Sequence, residues 1–161
     1  MQVAHNRSCG APGLVLDTNV WLDLLLFEDA RVLPLRSLVE TARVELLIAE
    51  RTRAEWRRVL HYPQLALDDA KREALMAAYD ALARVVGDDG SPASAATAPA
   101  LPRCRDPDDQ VFLELAAGSH ASALLSRDRA LLALDRRCRR VAGFAVRHPA
   151  DWLAAFVAAM A

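Results

Sequence analysis

Six carboxylates stand where they could act together: Asp17, Glu55, Asp106, Asp108, Asp109 and Asp128. Asp17 closes the apolar run Leu14-Val15-Leu16, and Thr18 and Asn19 follow it. Glu55 comes soon after a second apolar run, Val44-Glu45-Leu46-Leu47-Ile48. Asp106, Asp108 and Asp109 crowd into Arg105-Asp106-Pro107-Asp108-Asp109, and Asp128 follows Ala121-Ser122-Ala123-Leu124-Leu125. Brought to one place, such groups would repel and raise one another's pKa unless a cation neutralised them. Oxygen donors suit Mg²⁺ or Mn²⁺, hard ions that keep several waters and can activate one against a phosphate.

Taken singly, most of these acids have an ordinary explanation. Helix N-termini favour acids, and Thr52-Arg53-Ala54-Glu55 fits a capping box. Asp106 and Asp128 read as caps, with Asp108 and Asp109 complementing the helix dipole. Asp17 has the weakest such excuse, because Thr18 or Asn19 is available to cap the next helix. Asp23 reads as a solvated helix residue or a group behind the site. Asp29, Asp68, Asp88 and Asp89 read as turn or cap residues.

The elements that must position the six acids follow from apolar patterning. Leu14 to Asp17 suits a fully buried parallel strand. Val20, Trp21, Leu24, Leu25 and Phe27 then recur at helical spacing. A second helix is expected from Leu33-Pro34 to about Ala42, and a strand over Val44–Ile48. A helix from Thr52 to about Leu60 ends at the pre-proline step His61-Tyr62-Pro63. Asp68 caps a helix to about Ala83, and Arg84-Val85-Val86 forms a short third strand. Helices are expected to open at Asp106-Pro107, at Asp128 (running to about Arg136) and at Pro149; strands are expected at 121–125 and 143–146. Repeated strand–helix alternation implies an α/β fold whose parallel sheet is covered on both faces. In right-handed units of this kind strand ends and helix starts share one edge. All six acids belong to that edge, where open α/β folds bind ligands.

Residues 1–12 read as a flexible tail, and 13–161 as one domain carrying a Gly-, Pro-, Ser- and Ala-rich mobile insertion at about 87–101. At 161 residues the chain suffices for one core. The balance of 20 basic to 21 acidic residues argues neither for nor against nucleic acid. Three cysteines, odd in number and without zinc-ligand spacing, imply a reducing compartment. No charged-then-apolar leader opens the sequence, and its apolar runs stop well short of the roughly 18 residues of a membrane span. A cytoplasmic location is therefore expected. The scattered histidines form no catalytic pairing, and G-x-G-x-x-G and P-loop motifs are absent, which removes support for nucleotide-cofactor chemistry.

With these residues in place the chain resembles the PIN-domain nucleases, and within them the VapC-like toxin components of toxin–antitoxin systems. Leu14-Val15-Leu16-Asp17-Thr18-Asn19 is similar to the family's opening strand end, which carries its first metal-binding acid. Glu55 resembles the second acid, Asp109 in Asp106-Pro107-Asp108-Asp109 the third, and Asp128 the fourth. Val146-Arg147-His148-Pro149-Ala150-Asp151-Trp152-Leu153 resembles the closing segment. The resemblance implies a three-layer α/β/α sandwich with a central, mostly parallel sheet of four to five strands. It implies Mg²⁺ or Mn²⁺ held by Asp17, Glu55, Asp109 and Asp128, with Asp106 and Asp108 auxiliary. Two departures stand out: the usual Thr-Gly-Asp is Ser126-Arg127-Asp128 here, and the insertion is long.

The expectation is then a metal-dependent endoribonuclease in which metal-activated water cleaves single-stranded or structured RNA, leaving 5′-phosphate and 3′-OH ends. Its expected partners are a cognate antitoxin and a second copy in a homodimer, and no membrane. Thr18, Asn19, Arg53, Arg57, Ser126 and Arg127 are the expected substrate-binding residues, Arg suiting phosphate contact. Two rivals are a catalytically weakened binding module acting through protein or RNA association, and a metal-dependent phosphatase acting on small phosphomonoesters.

Overall fold

The computed structural model describes residues 10–87 and 100–161. Most of the expected tail and nearly all of the expected insertion, with Asp88 and Asp89, lie outside the described residues. The sheet has five parallel strands: β1 (Gly13–Leu16), β2 (Glu45–Ile48), β3 (Ala83–Val85), β4 (Ala123–Leu125) and β5 (Ala145–Arg147), in the order β3-β2-β1-β4-β5. The central β1 pairs with β2 through Leu14–Leu46 and with β4 through Val15–Leu124. Leu14, Val15 and Leu16 are all buried, as a strand covered on both faces requires.

Alternation along the strands feeds two cores. Leu14, Leu16, Leu46, Ile48 and Leu125 face one layer, and Val15, Leu47, Leu124 and Val146 face the other. The first layer is α1 (Thr18–Leu25), α2 (Pro34–Glu40), α3 (Glu50–Leu60), α4 (Asp69–Leu82) and α8 (Pro149–Met160). At its centre Trp21 and Trp56 pack on Tyr79, with ring centroids 4.4 and 5.4 Å away. The second layer is α5 (Gln110–Gly118), α6 (Arg129–Leu132) and α7 (Asp135–Ala142). The result is the expected α/β/α sandwich.

Several boundaries differ from the sequence reading for local reasons. The first helix stops at Leu25 rather than Phe27, and Glu28 turns into the left-handed region (φ 49°). The single helix expected from Asp128 to Arg136 is two, α6 and α7. Asp135, at the start of α7, accepts a 2.8 Å hydrogen bond from the Val146 N–H and so anchors that helix to β5. The last strand begins at Ala145 because Gly143 (φ 77°) closes α7. Asp68 caps α4 as expected, accepting from Lys71 N.

Candidate functional site

The strand order reverses between β1 and β4, and a cleft of about 340 Å³ lies beyond the carboxyl ends of these strands. Asp17, Glu55, Asp106, Asp109 and Asp128 line it, together with Thr18 and Asn19. Four separate segments, far apart in sequence, thus bring five carboxylates to one opening.

Asp17 directly follows β1 and is only 4% exposed. Its Oδ1 accepts from the Thr18 backbone N–H at 2.7 Å, and its Oδ2 accepts from Asn19 Nδ2 at 3.0 Å and from Ser126 Oγ at 2.6 Å. Burial raises its pKa, those hydrogen bonds pull the other way, and the Asp128 charge adds to the rise. The sequence argument that capping by Asp17 would be redundant is corrected here: Asp17 is itself the N-cap of α1. Asn19 instead spends its amide on the Asp17 carboxylate.

Asp109 ends a 3₁₀ turn, Pro107–Asp109, that Asp106 caps by accepting from Asp108 N at 2.9 Å. The Asp109 pKa is pushed up to about 7 by burial first, then by Asp17, Asp128 and Asp106. Asp128 caps α6 through Ala130 N (2.8 Å), and its own N–H donates to Ser126 Oγ at 2.9 Å. Ser126, fully buried, therefore links the first and last acids through one hydroxyl.

Glu55 escapes the capping explanation. The helix after β2 starts earlier than expected, with Ala49 at the cap. Thr52 Oγ1 accepts from Ala49 N and donates to Ala49 O, both at 2.9 Å. Glu55 sits one turn further on and accepts from Arg58 Nη2 at 2.8 Å. That same nitrogen reaches Asp108 Oδ2 at 3.0 Å, and Asp108 is absent from the cleft lining.

The basic residues are arranged differently from the sequence expectation. Arg53 makes a two-pronged pair with Asp80, both contacts 2.8 Å, and Arg57 is exposed; neither lines the cleft. Arg127 pairs with Asp23 behind the cleft. Asp17, Asp109 and Asp128 have no ion-pair partner among the described residues. No three carboxylates there converge closely enough to hold an ion as they stand. Oxygen-only donors with unbalanced charge nonetheless fit a hard divalent cation in type and sign.

Sequence reasoning missed the rest of the lining: Leu22, Val59, Tyr62, Gln64 and Leu65. Its only advance signal was the Tyr62-Pro63 step after the helix. Arg58 belongs to the basic group around Glu55 (Arg51, Arg53, Arg57 and Arg58) that the sequence offers for phosphate contact; its pairing with Asp108, across 50 residues, leaves no local pattern.

Residues 13–130 match the PIN domain family model, and the chain belongs to that family. A chain of the VapBC2 complex from Rickettsia felis, solved bound to a DNA fragment from their promoter, has a similar fold. It is 9% identical, with a TM-score of 0.56, covering 84% of this chain and 98% of that one. No curated protein matches the sequence. No helix among the described residues is long and apolar enough to cross a membrane.

Proposed function

We propose that this PIN-domain protein is a Mg²⁺- or Mn²⁺-dependent endoribonuclease and the toxin of a toxin–antitoxin pair, acting in the cytoplasm. The observation that carries the reading is the gathering of Asp17, Glu55, Asp109 and Asp128 on one cleft, with the Asp109 pKa pushed up to about 7. These four would hold the cation, with Asp106 beside them. A divalent cation in the cleft supplies the Lewis acidity that activates water and stabilises charge on a phosphodiester.

The chain's own groups do the positioning. Ser126 and Asn19 hold the Asp17 carboxylate in one orientation, and the backbone N–H groups of Thr18 and Ala130 fix Asp17 and Asp128. Arg58 donates to the Glu55 carboxylate at 2.8 Å and so orients it. Among the described residues no basic side chain lines the cleft, so substrate binding is expected to depend on the cation. Of the expected substrate-binding residues Thr18 and Asn19 line the cleft, while Arg53, Arg57, Ser126 and Arg127 lie outside its lining. The likeness to a VapBC2 chain supports a protein partner of antitoxin type; a homodimer is proposed beside it.

The decisive experiment is cleavage of single-stranded RNA with Mn²⁺, comparing the protein with Asp17→Asn. Loss of cleavage in the variant, with 5′-phosphate and 3′-OH ends from the parent, is expected. Equal activity in both would sink the assignment.

A further inference from the structure

We propose that the part of the cleft lined by Tyr62, Gln64 and Leu65 is a base-binding subsite: Tyr62 stacks on an unpaired base of the RNA next to the scissile phosphate, and the Gln64 amide meets that base's edge. The inference rests on the nuclease reading for the nature of its ligand and adds a determinant of substrate choice.

Five large apolar or aromatic side chains are conspicuously exposed among the described residues: Phe27, Tyr62, Val85, Val157 and Met160. Tyr62 alone lines the cleft, with 42% of its surface open. Its backbone is held on both sides. The Tyr62 N–H donates to Val59 O at 2.9 Å, closing the end of α3, and its carbonyl accepts from Leu65 N at 3.0 Å in the 3₁₀ turn Pro63–Leu65. Pro63 fixes the following φ, and Ala66 leaves the turn in the left-handed region (φ 48°). The ring is therefore carried on a fixed backbone, which costs little order to stack against.

Leu22, Val59 and Leu65 are the apolar aliphatic residues of the same lining, and Gln64 adds an uncharged amide. An exposed aromatic ring with aliphatic neighbours and an amide in one cleft suits a nucleobase: unpaired RNA bases stack on aromatic side chains and are read along their edges. An amide offers a donor and an acceptor together, the pair that adenine complements. Asp17, Asp109 and Asp128 line the same cleft without an ion-pair partner among the described residues, so the sugar–phosphate is placed at the cation they would hold and the base at Tyr62.

The test uses a single-stranded RNA hexamer carrying 2-aminopurine, with Ca²⁺ replacing Mg²⁺ during binding. Quenching of 2-aminopurine is expected with the parent and with Tyr62→Phe. Tyr62→Ala should weaken binding on the order of tenfold and abolish the quenching, and an abasic hexamer should bind the parent no better than Tyr62→Ala binds the intact one. Gln64→Ala should keep the quenching but lose discrimination between adenine- and uracil-rich hexamers. Tyr62 is a surface residue, and a thermal melt verifies that each variant is folded. Quenching and affinity unchanged in Tyr62→Ala, or no binding by the parent, would overturn the subsite. Tyr62-dependent quenching without Mn²⁺-dependent cleavage would leave it standing and remove the nuclease reading instead.

Discussion

Arg127 Nε lies 2.7 Å from Asp23 Oδ2, and its Nη2 donates to Asp23 Oδ1 at 3.2 Å. The pair ties the segment after β4 to the middle of α1, and the Arg127 N–H reaches Asn19 Oδ1 at 3.4 Å. Arg127, one of the two departures from the family resemblance, thus acts as an ionic strut between two segments. Asp23 is 5% exposed, and burial raises its pKa while Arg127 opposes the rise.

Removing the strut leaves a buried carboxylate without its main partner. Arg127→Ala is expected to cost about 2 kcal/mol, discounted for the half-open guanidinium, or roughly 4–8 °C in Tm for a domain of this size. The double variant Asp23→Asn/Arg127→Ala should recover part of the loss. Thermal melts of the four proteins in the cycle measure the coupling, and strictly additive losses would show that the strut is idle.

The raised Asp109 pKa fixes the sign of a pH dependence. An acid whose folded-state pKa lies above its ordinary value stabilises the metal-free fold fully below about 4, and that contribution is lost as pH rises through about 7. Asp17, also raised, works in the same direction. Melts in chelator between pH 5 and 8 should therefore fall with pH, and Asp109→Asn should flatten the slope. Mn²⁺ affinity should move oppositely and rise over the same interval, because ligands must be deprotonated to bind.

Asp109→Asn should also raise metal-free stability at pH 8 while abolishing Mn²⁺-dependent cleavage, because it removes one of the crowded charges. Such an exchange of stability for function is expected where like charges are held together for a task. Urea unfolding alongside the cleavage assay measures both, and a destabilised variant at pH 8 would refute the account of crowding.

Ser126 serves both Asp17 and Asp128 through one buried hydroxyl. Ser126→Ala should cost about 1–2 kcal/mol in stability and about 10–100-fold in Mn²⁺ affinity, the usual penalty for losing a group that orients a ligand. Ser126→Thr keeps the hydroxyl and should retain most of both, as calorimetry with Mn²⁺ would read directly.

Thr52 gives a control outside the cleft. It closes the start of α3 on Ala49, and Thr52→Ala should cost about 1–2 kcal/mol without altering Mn²⁺ affinity per folded molecule. A parallel fall in affinity would mean that the start of α3 sets the position of Glu55.

The sequence by itself determined the layer architecture and the edge at which the acids meet. Apolar runs such as Leu14–Leu16 can be satisfied only by a strand buried on both faces, and right-handed crossovers then deliver Asp17, Asp109 and Asp128 to one edge without reference to any side-chain contact. Helix caps were legible for the same reason: Asp68, Asp106 and Asp128 bond to backbone two or three residues away. Tertiary structure alone decided the partners. Arg58 choosing Glu55 and Asp108, Arg53 turning to Asp80, Arg127 bracing Asp23 and Ser126 bridging two acids are mostly contacts between segments remote in sequence. An exposed Arg has many acids within reach and no periodicity to say which it takes. The place of Tyr62 in the cleft was hidden likewise, because in sequence it only marks the pre-proline end of a helix, with no periodicity to say which surface it joins.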